Sequence, residues 1–266
     1  MHLRFLAIVV SLVTSASGLA AQTLKPSTMT ARIEILSQQL PLLGNDAAAG
    51  NEQAFVDLKK RCDLMIGMLT QLEQNEGMAG FADLDFASRK VGADVAKILE
   101  GRDAVLASRA LVEEISQKLP PLDARLDELS MTLSERQGSS KQVLLLTREM
   151  LVAGRIQRRL QAIEHGGEDA VAAADGVRRD AKYYGVVLAG LLDGNADLGL
   201  KKLNDANARQ LLQDISAQWN EIAPKVTKLA DAAPALQAVR EAEENLRADS
   251  DTLWLKADPV FVRYNN

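Results

Sequence analysis

The residues with the clearest capacity for chemistry are a group of arginines. Arg155, Arg158 and Arg159 lie within five positions, and Arg178 and Arg179 follow shortly after. A guanidinium group binds carboxylates and oxyanions through a two-pronged fork. Arg155 and Arg158, with Arg159 beside them, are therefore candidate residues of an anion pocket. The competing reading is a solvated or ion-paired helix face, because Glu164, Glu168, Asp169 and Asp180 are close by. A second candidate set is Arg32, Ser37 and Gln38. These form the polar side of the first helix and would line a ligand groove or a dimer seam, or be plain surface.

Nothing in the chain assembles a reaction centre. There is no Gly-rich phosphate loop, no Ser/His/Asp set and no pair of histidines at helical metal spacing. Asp193-x-Asn195-x-Asp197 opens like a calcium loop, but Leu198 stands where glycine is needed and Asn204 where the closing glutamate belongs. The stretch reads as a helix stop. Cys62 is the only cysteine, and the histidines are His2 and His165. One thiol and two imidazoles cannot build a zinc site, and a lone cysteine on an apolar stripe reads as core. The expectation is no enzyme activity, no metal and no cofactor. The net charge of -5 and the absence of a basic stripe with interleaved aromatics argue against nucleic acid. Trp219 and Trp254 read as packing residues rather than a ligand cage.

Apart from Arg32, Ser37 and Gln38, these candidates sit on a helical hairpin. Val143, Leu146, Met150, Ala153 and Leu160 repeat at three/four spacing, as do Val177, Ala181, Tyr184, Leu188 and Leu191, with Gly166-Gly167 between the two runs. A single amphipathic helix cannot bury its stripe alone, so partner helices are required. The composition supplies them: 47% hydrophobic residues with only 4% aromatic is the signature of long packed helices. Ile33, Leu36, Leu40 and Leu43 mark the first, ended by Gly44-Asn45-Asp46. Phe55, Leu58, Cys62, Met65, Leu69 and Leu72 mark the second. Ile98, Val105, Val112 and Leu119 mark a third, interrupted at Pro120-Pro121, and a fourth runs from Leu122 to His165 with a bend at Gly138. Ile215, Ile222, Leu229 and Leu236 open the last, which Pro224 and Pro234 should bend or split.

The predicted architecture is all-α: an elongated bundle of about six helices forming two tandem four-helix-bundle-like modules. Residues 26–119 form the first module and 122–260 the second with its closing helix. Residues 1–21 read as a signal peptide, with Arg4 before the apolar run Leu6 to Val13 and small residues to Ala21. The alternative is an uncleaved anchor, although the run is short for a span of about 20 residues. A faint duplication supports two modules. Ala31-Arg32-Ile33 corresponds to Gly154-Arg155-Ile156, Gly50 through Phe55 to Gly166 through Val171, and Val95 through Ile98 to Val226 through Leu229.

At these residues the chain resembles the N-terminal sensory region of type IV pilus methyl-accepting chemotaxis transducers, the PilJ-type domain, present twice. Ile35 through Gln38 and Gly50 through Phe55 carry the likeness in the first copy. Gln142-Val143, Arg155-Ile156, Gly167 through Asp175, Arg179-Asp180 and Leu191 through Asn195 carry it in the second. The resemblance implies a periplasmic, all-helical sensory domain that signals by helix displacement, as a homodimer, with a small molecule or a pilus protein as ligand. Membrane association would run through the N-terminal segment. In that family a second span and a cytoplasmic signalling half follow, so this chain is expected to be a stand-alone periplasmic relative or a receptor cut at its boundary. The alternative function is a periplasmic helical structural or partner-binding protein without a small-molecule ligand. The family also resembles nitrate/nitrite sensors that hold the anion on a first-helix arginine. Here the equivalent position is Glu34, which repels anions, and Arg32 is two positions away on another face.

If Arg155 and Arg158 are surface residues, Arg155→Ala and Arg158→Ala will each change stability by no more than about 0.5 kcal/mol. Thermal melting of the double variant reads this directly, and a large drop would make the pair structural.

Overall fold

The structure is a computed structural model that describes residues 25–76, 82–135 and 140–265. The candidate leader, 1–21, lies outside the described residues. So does Gly138, where the bend was expected. Among the described residues every regular element is an α-helix: α1 (Pro26–Ala48), α2 (Glu52–Glu76), α3 (Ala82–Glu100), α4 (Arg102–Glu135), α5 (Ser140–His165), α6 (Ala170–Asp193) and α7 (Ala206–Asn265).

The spine is α7, whose 60 residues span about 90 Å. Its buried positions run Leu212, Ile215, Trp219, Ile222, Val226, Leu229, Ala233, Leu236, then Glu243, Leu246, Ser250, Leu253 and Ala257. That is an almost unbroken heptad stripe. Pro224 and Pro234 fall outside the stripe and are exposed, and α7 continues through both. The expected interruption at Pro120-Pro121 is absent for the same reason. Both prolines are exposed, as are Ser116 and Gln117, whose carbonyls lose their helical partners and face water instead. The sequence places the break too late. It falls at Gly101, between α3 and α4, where Gly101 N–H still reaches Lys97 O at 3.2 Å and Val105 N–H reaches Gly101 O at 3.0 Å. The predicted fourth helix is two helices, α4 and α5, packed on each other.

The α3–α4 rod runs antiparallel to α7 in constant register. Asp83 meets Lys256, Lys90 meets Asp249, Glu114 meets Lys225 and Lys118 meets Glu221. Between them, a side chain at Gly101 would overlap Val239. The α1–α2 hairpin covers one half of this pair of rods, and the α5–α6 hairpin covers the other. In one bundle the neighbours run α1–α2–α3–α7 and back to α1. In the other they run α5–α6–α7–α4 and back to α5. The two rings match when α1, α2 and α3–α4 are exchanged for α5, α6 and α7. The molecule is thus a pseudo-twofold pair of hairpin-plus-rod units, and each unit lends half its rod to the other's bundle.

The two hairpin turns meet at the waist. Gly50 and Gly166, equivalent in the duplication, both take positive φ, 84° and 65°. In the first, Asn51 Oδ1 accepts the Gln53 N–H at 3.1 Å and caps α2. Gly44, expected to end α1, lies inside it against Leu246, and the helix closes at Ala48. Gly166 faces the Leu236 carbonyl, which a methyl group would approach to 2.5 Å.

Gly166→Ala will therefore cost about 1–3 kcal/mol through strained φ and this clash. Gly167→Ala, with nothing within 4 Å of the new methyl, will be near neutral. Urea unfolding of the two variants separates them, and equal effects would show that the waist is not packed in this way.

Candidate functional site at the waist

The structure distributes the sequence-predicted site residues over both bundles. Arg32 is exposed on α1. Ser37 is fully buried, and its hydroxyl donates to the Glu34 carbonyl at 2.7 Å. Gln38 is exposed beside Asp251, Trp254 and Leu255 of α7. Arg155 and Arg159 of α5 both donate to Asp180 of α6, Arg155 at 3.0 Å, and Arg159 also reaches the Gly176 carbonyl. Asp180 is buried, so this is an ion-pair clasp between the arms of a hairpin. Arg158 is exposed on the same helix. The geometry keeps Arg32, Ser37 and Gln38 in one bundle and Arg155 and Arg158 in the other. Asn195 Oδ1 accepts the Leu198 N–H at 3.0 Å and closes a tight turn in the calcium-like stretch.

Two interior features escaped the sequence reading. The first is acidic. Glu149 of α5 is fully buried, and neither carboxylate oxygen has a hydrogen-bond partner among the described residues. Burial pushes its carboxyl up to about 8, with Asp180 adding to the shift and Arg148 and Arg155 opposing it. Tyr184 of α6 is also fully buried, with an unpartnered hydroxyl and its ring 4.3 Å from that of Trp219 on α7. Asp123 of α4 is pushed up to about 6 by burial. Each helix of this bundle thus contributes a polar or aromatic group to one interior. Cys62, pushed up to about 11 by burial, stays an inert thiol.

The second feature is a cavity of about 280 Å³ at the waist. Asn45, Ala48 and Ala49 come from the end of α1 and its turn, and Glu164 and His165 from the end of α5. Val105, Ser108 and Arg109 come from α4, and Leu236, Val239 and Arg240 from α7. The pseudo-twofold relation organises this wall. The sequence offset that carries Gly50 onto Gly166 carries Ala48 and Ala49 onto Glu164 and His165. The offset that carries Ile98 onto Leu229 carries Val105, Ser108 and Arg109 onto Leu236, Val239 and Arg240. Each arginine also packs on the turn glycine of its own unit: Arg109 on Gly50, Arg240 on Gly166. The equivalence of Arg109 and Arg240 could have been found by extending the Ile98–Leu229 correspondence eleven residues further along both helices.

The chain is similar to two curated proteins over most of its length. It is 28% identical over 242 residues to AlkN of Alcanivorax borkumensis, whose name places it in methyl-accepting chemotaxis; the match covers 90% of this chain. It is 26% identical over 247 residues to Protein PilJ of Pseudomonas aeruginosa, covering 88% of this chain. The matches span 36% of the length of each of these curated relatives. No family model matches the chain. Among solved structures, the TorS sensor domain, crystallised with TorT in the presence of TMAO, covers 91% of this chain and 100% of that one. It has 12% identity and a TM-score of 0.48. The likeness to type IV pilus chemotaxis transducers read from the sequence is borne out by the two curated matches. The all-α class and the tandem bundles are borne out by the fold.

The buried Glu149 sets a pH dependence. The folded state keeps a proton that the unfolded chain releases around the ordinary value of 4.5. Its contribution is fully present below that pH and falls away as pH rises to about 8. Glu149→Gln, neutral throughout, will remove this part of the slope. Urea unfolding at pH 5 and pH 8.5 will show the wild type losing on the order of a few kcal/mol more than the variant. Parallel profiles would show that Glu149 ionises freely.

Proposed function

We propose that this chain is the extracytoplasmic sensory part of a type IV pilus-type chemotaxis transducer, binding its stimulus rather than converting it and passing the event on by displacement of long helices. The observation that carries this reading is the similarity to AlkN and PilJ, which runs through nearly the whole chain rather than one motif. The fold supports it physically. One helix, α7, passes through both bundles, so a small shift at one end reaches the other without crossing a flexible joint. In this reading the N-terminal run of apolar residues takes the chain across the inner membrane into the periplasm. Exposed Ile35 and Leu42 of α1, with Trp254 and Leu255 of α7, offer apolar surface for a homodimer. The stimulus is a small molecule or a pilus protein.

The test is a chimera in Pseudomonas aeruginosa in which this chain replaces the matching part of PilJ. Surface motility and its stimulus response are expected to persist, and a Gly101→Pro version that breaks the rod is expected to lose the response while still accumulating at the membrane. A chimera that is expressed and inserted but gives the phenotype of a pilJ deletion would favour a structural or partner-binding role without signalling.

A further inference from the structure

The pseudo-twofold symmetry of the waist cavity is broken in its charges, and the break points to a ligand. Arg240 is neutralised within its own helix: its Nη1 lies 2.9 Å from Glu243 Oε2 and its Nε lies 3.3 Å from Glu244 Oε1. The equivalents of Glu243 and Glu244 in the other unit are Val112, which cannot play that part, and Glu113, which forms no ion pair with Arg109. Arg109 accordingly has no acidic partner among the described residues. Its one hydrogen bond goes from Nη1 to the Ala49 carbonyl at 2.8 Å, and the rest of its fork is free. Across the wall Glu164 has no basic partner among the described residues. Its equivalent in the other turn is Ala48, so this charge too has no counterpart. The cavity therefore presents one unneutralised cation and one unneutralised anion. Val105, Leu236 and Val239 give the same cavity an apolar part of its wall. Ser108 on the same wall is 2% exposed, and its hydroxyl has no hydrogen-bond partner among the described residues.

Resting on the sensory reading above, we propose that the waist cavity binds a free aliphatic α-amino acid. The carboxylate sits on the Arg109 fork, with the Ser108 hydroxyl as a further donor. The ammonium sits against Glu164, and the side chain lies on Val105, Leu236 and Val239. A simple anion leaves Glu164 unmatched, and a simple amine leaves Arg109 unmatched. Only a zwitterion places an opposite charge on both the exposed Arg109 and the half-buried Glu164, and for Glu164 the state without a partner is the costlier one. The volume suits a ligand of this size and excludes a large one. Occupancy would tie α4 to the end of α5, and so draw the α5–α6 turn toward the rod that α7 packs against. That couples binding to the relative placement of the two bundles.

Isothermal titration of the full chain with L-leucine, L-valine and L-alanine tests this. N-acetyl-leucine, which lacks the ammonium, and leucinamide, which lacks the carboxylate, are the controls. One site per chain is expected for leucine or valine, with both controls at least tenfold weaker. Arg109→Gln and Glu164→Gln should each weaken leucine at least tenfold. If Arg109→Gln disturbs the turn at Gly50 and lowers the melting temperature, Ser108→Ala serves instead. Its hydroxyl has no partner among the described residues, so a several-fold loss of affinity with an unchanged melting temperature supports the site. Controls that bind as well as leucine, or no binding by any of the three amino acids, would overturn the proposal. A motile, stimulus-responsive chimera in which no amino acid binds would remove the ligand assignment and leave the sensory role standing. Amino-acid binding with a silent chimera would do the reverse.

Discussion

The antiparallel pairing of α3–α4 with α7 is the constraint on which the molecule depends. Neither hairpin has enough apolar neighbours to bury its stripe without both rods. Each rod carries a mainly apolar buried stripe along most of its length because it serves two bundles in succession. The stripe on α7 therefore runs through Ile222, Leu229, Leu236, Leu246 and Leu253 with its prolines turned to water. Opposite-sign pairs at four points along the rods add register more than energy, since exposed ion pairs contribute roughly 0–1 kcal/mol each. The close approach at Gly101 and Gly166 fixes where the two units meet.

That arrangement explains why the waist is the place for a site. Bundle interiors are filled by heptad side chains, but at the waist residues of both turns line a cavity. Residues from four helices converge there, and the duplication puts two arginines in equivalent positions. Divergence between the copies has left their surroundings unequal, with Glu243 buried beside Arg240 and Val112 in its place near Arg109. An internal repeat tends to generate paired binding residues. Loss of one internal partner then turns such a residue from a structural group into a free one.

Much of the helix pattern was legible in the sequence. Phe55 through Leu72, Leu126 through Leu133 and Val177 through Leu191 are core as read, because three/four spacing reports helix faces without tertiary information. The break points were not legible. Proline removes one donor, but whether a helix stops depends on whether the freed carbonyls can reach water, and that depends on which face the proline occupies. Gly101 carried no distinguishing signal, because a lone glycine in a helical run is tolerated until another rod must approach it. The interior acids were missed for a related reason. Glu149 takes a core position, while Val143 and Met150, which were read into the stripe, are half-buried. The Arg155–Asp180 clasp is the ion-paired reading of the arginine cluster, and it needed the hairpin's register to be seen.

The fold depends on α7 being one continuous helix shared by both bundles. The most direct test is the distance between spin labels at exposed Gln210 and Lys256, introduced as cysteines in a Cys62→Ser background and read by pulsed electron resonance. An unbroken α7 predicts a single narrow distribution near about 70 Å from the helical rise. A broad distribution, or one centred well below that value, would mean that Pro224 or Pro234 bends the helix, and it would contradict the account of a shared spine.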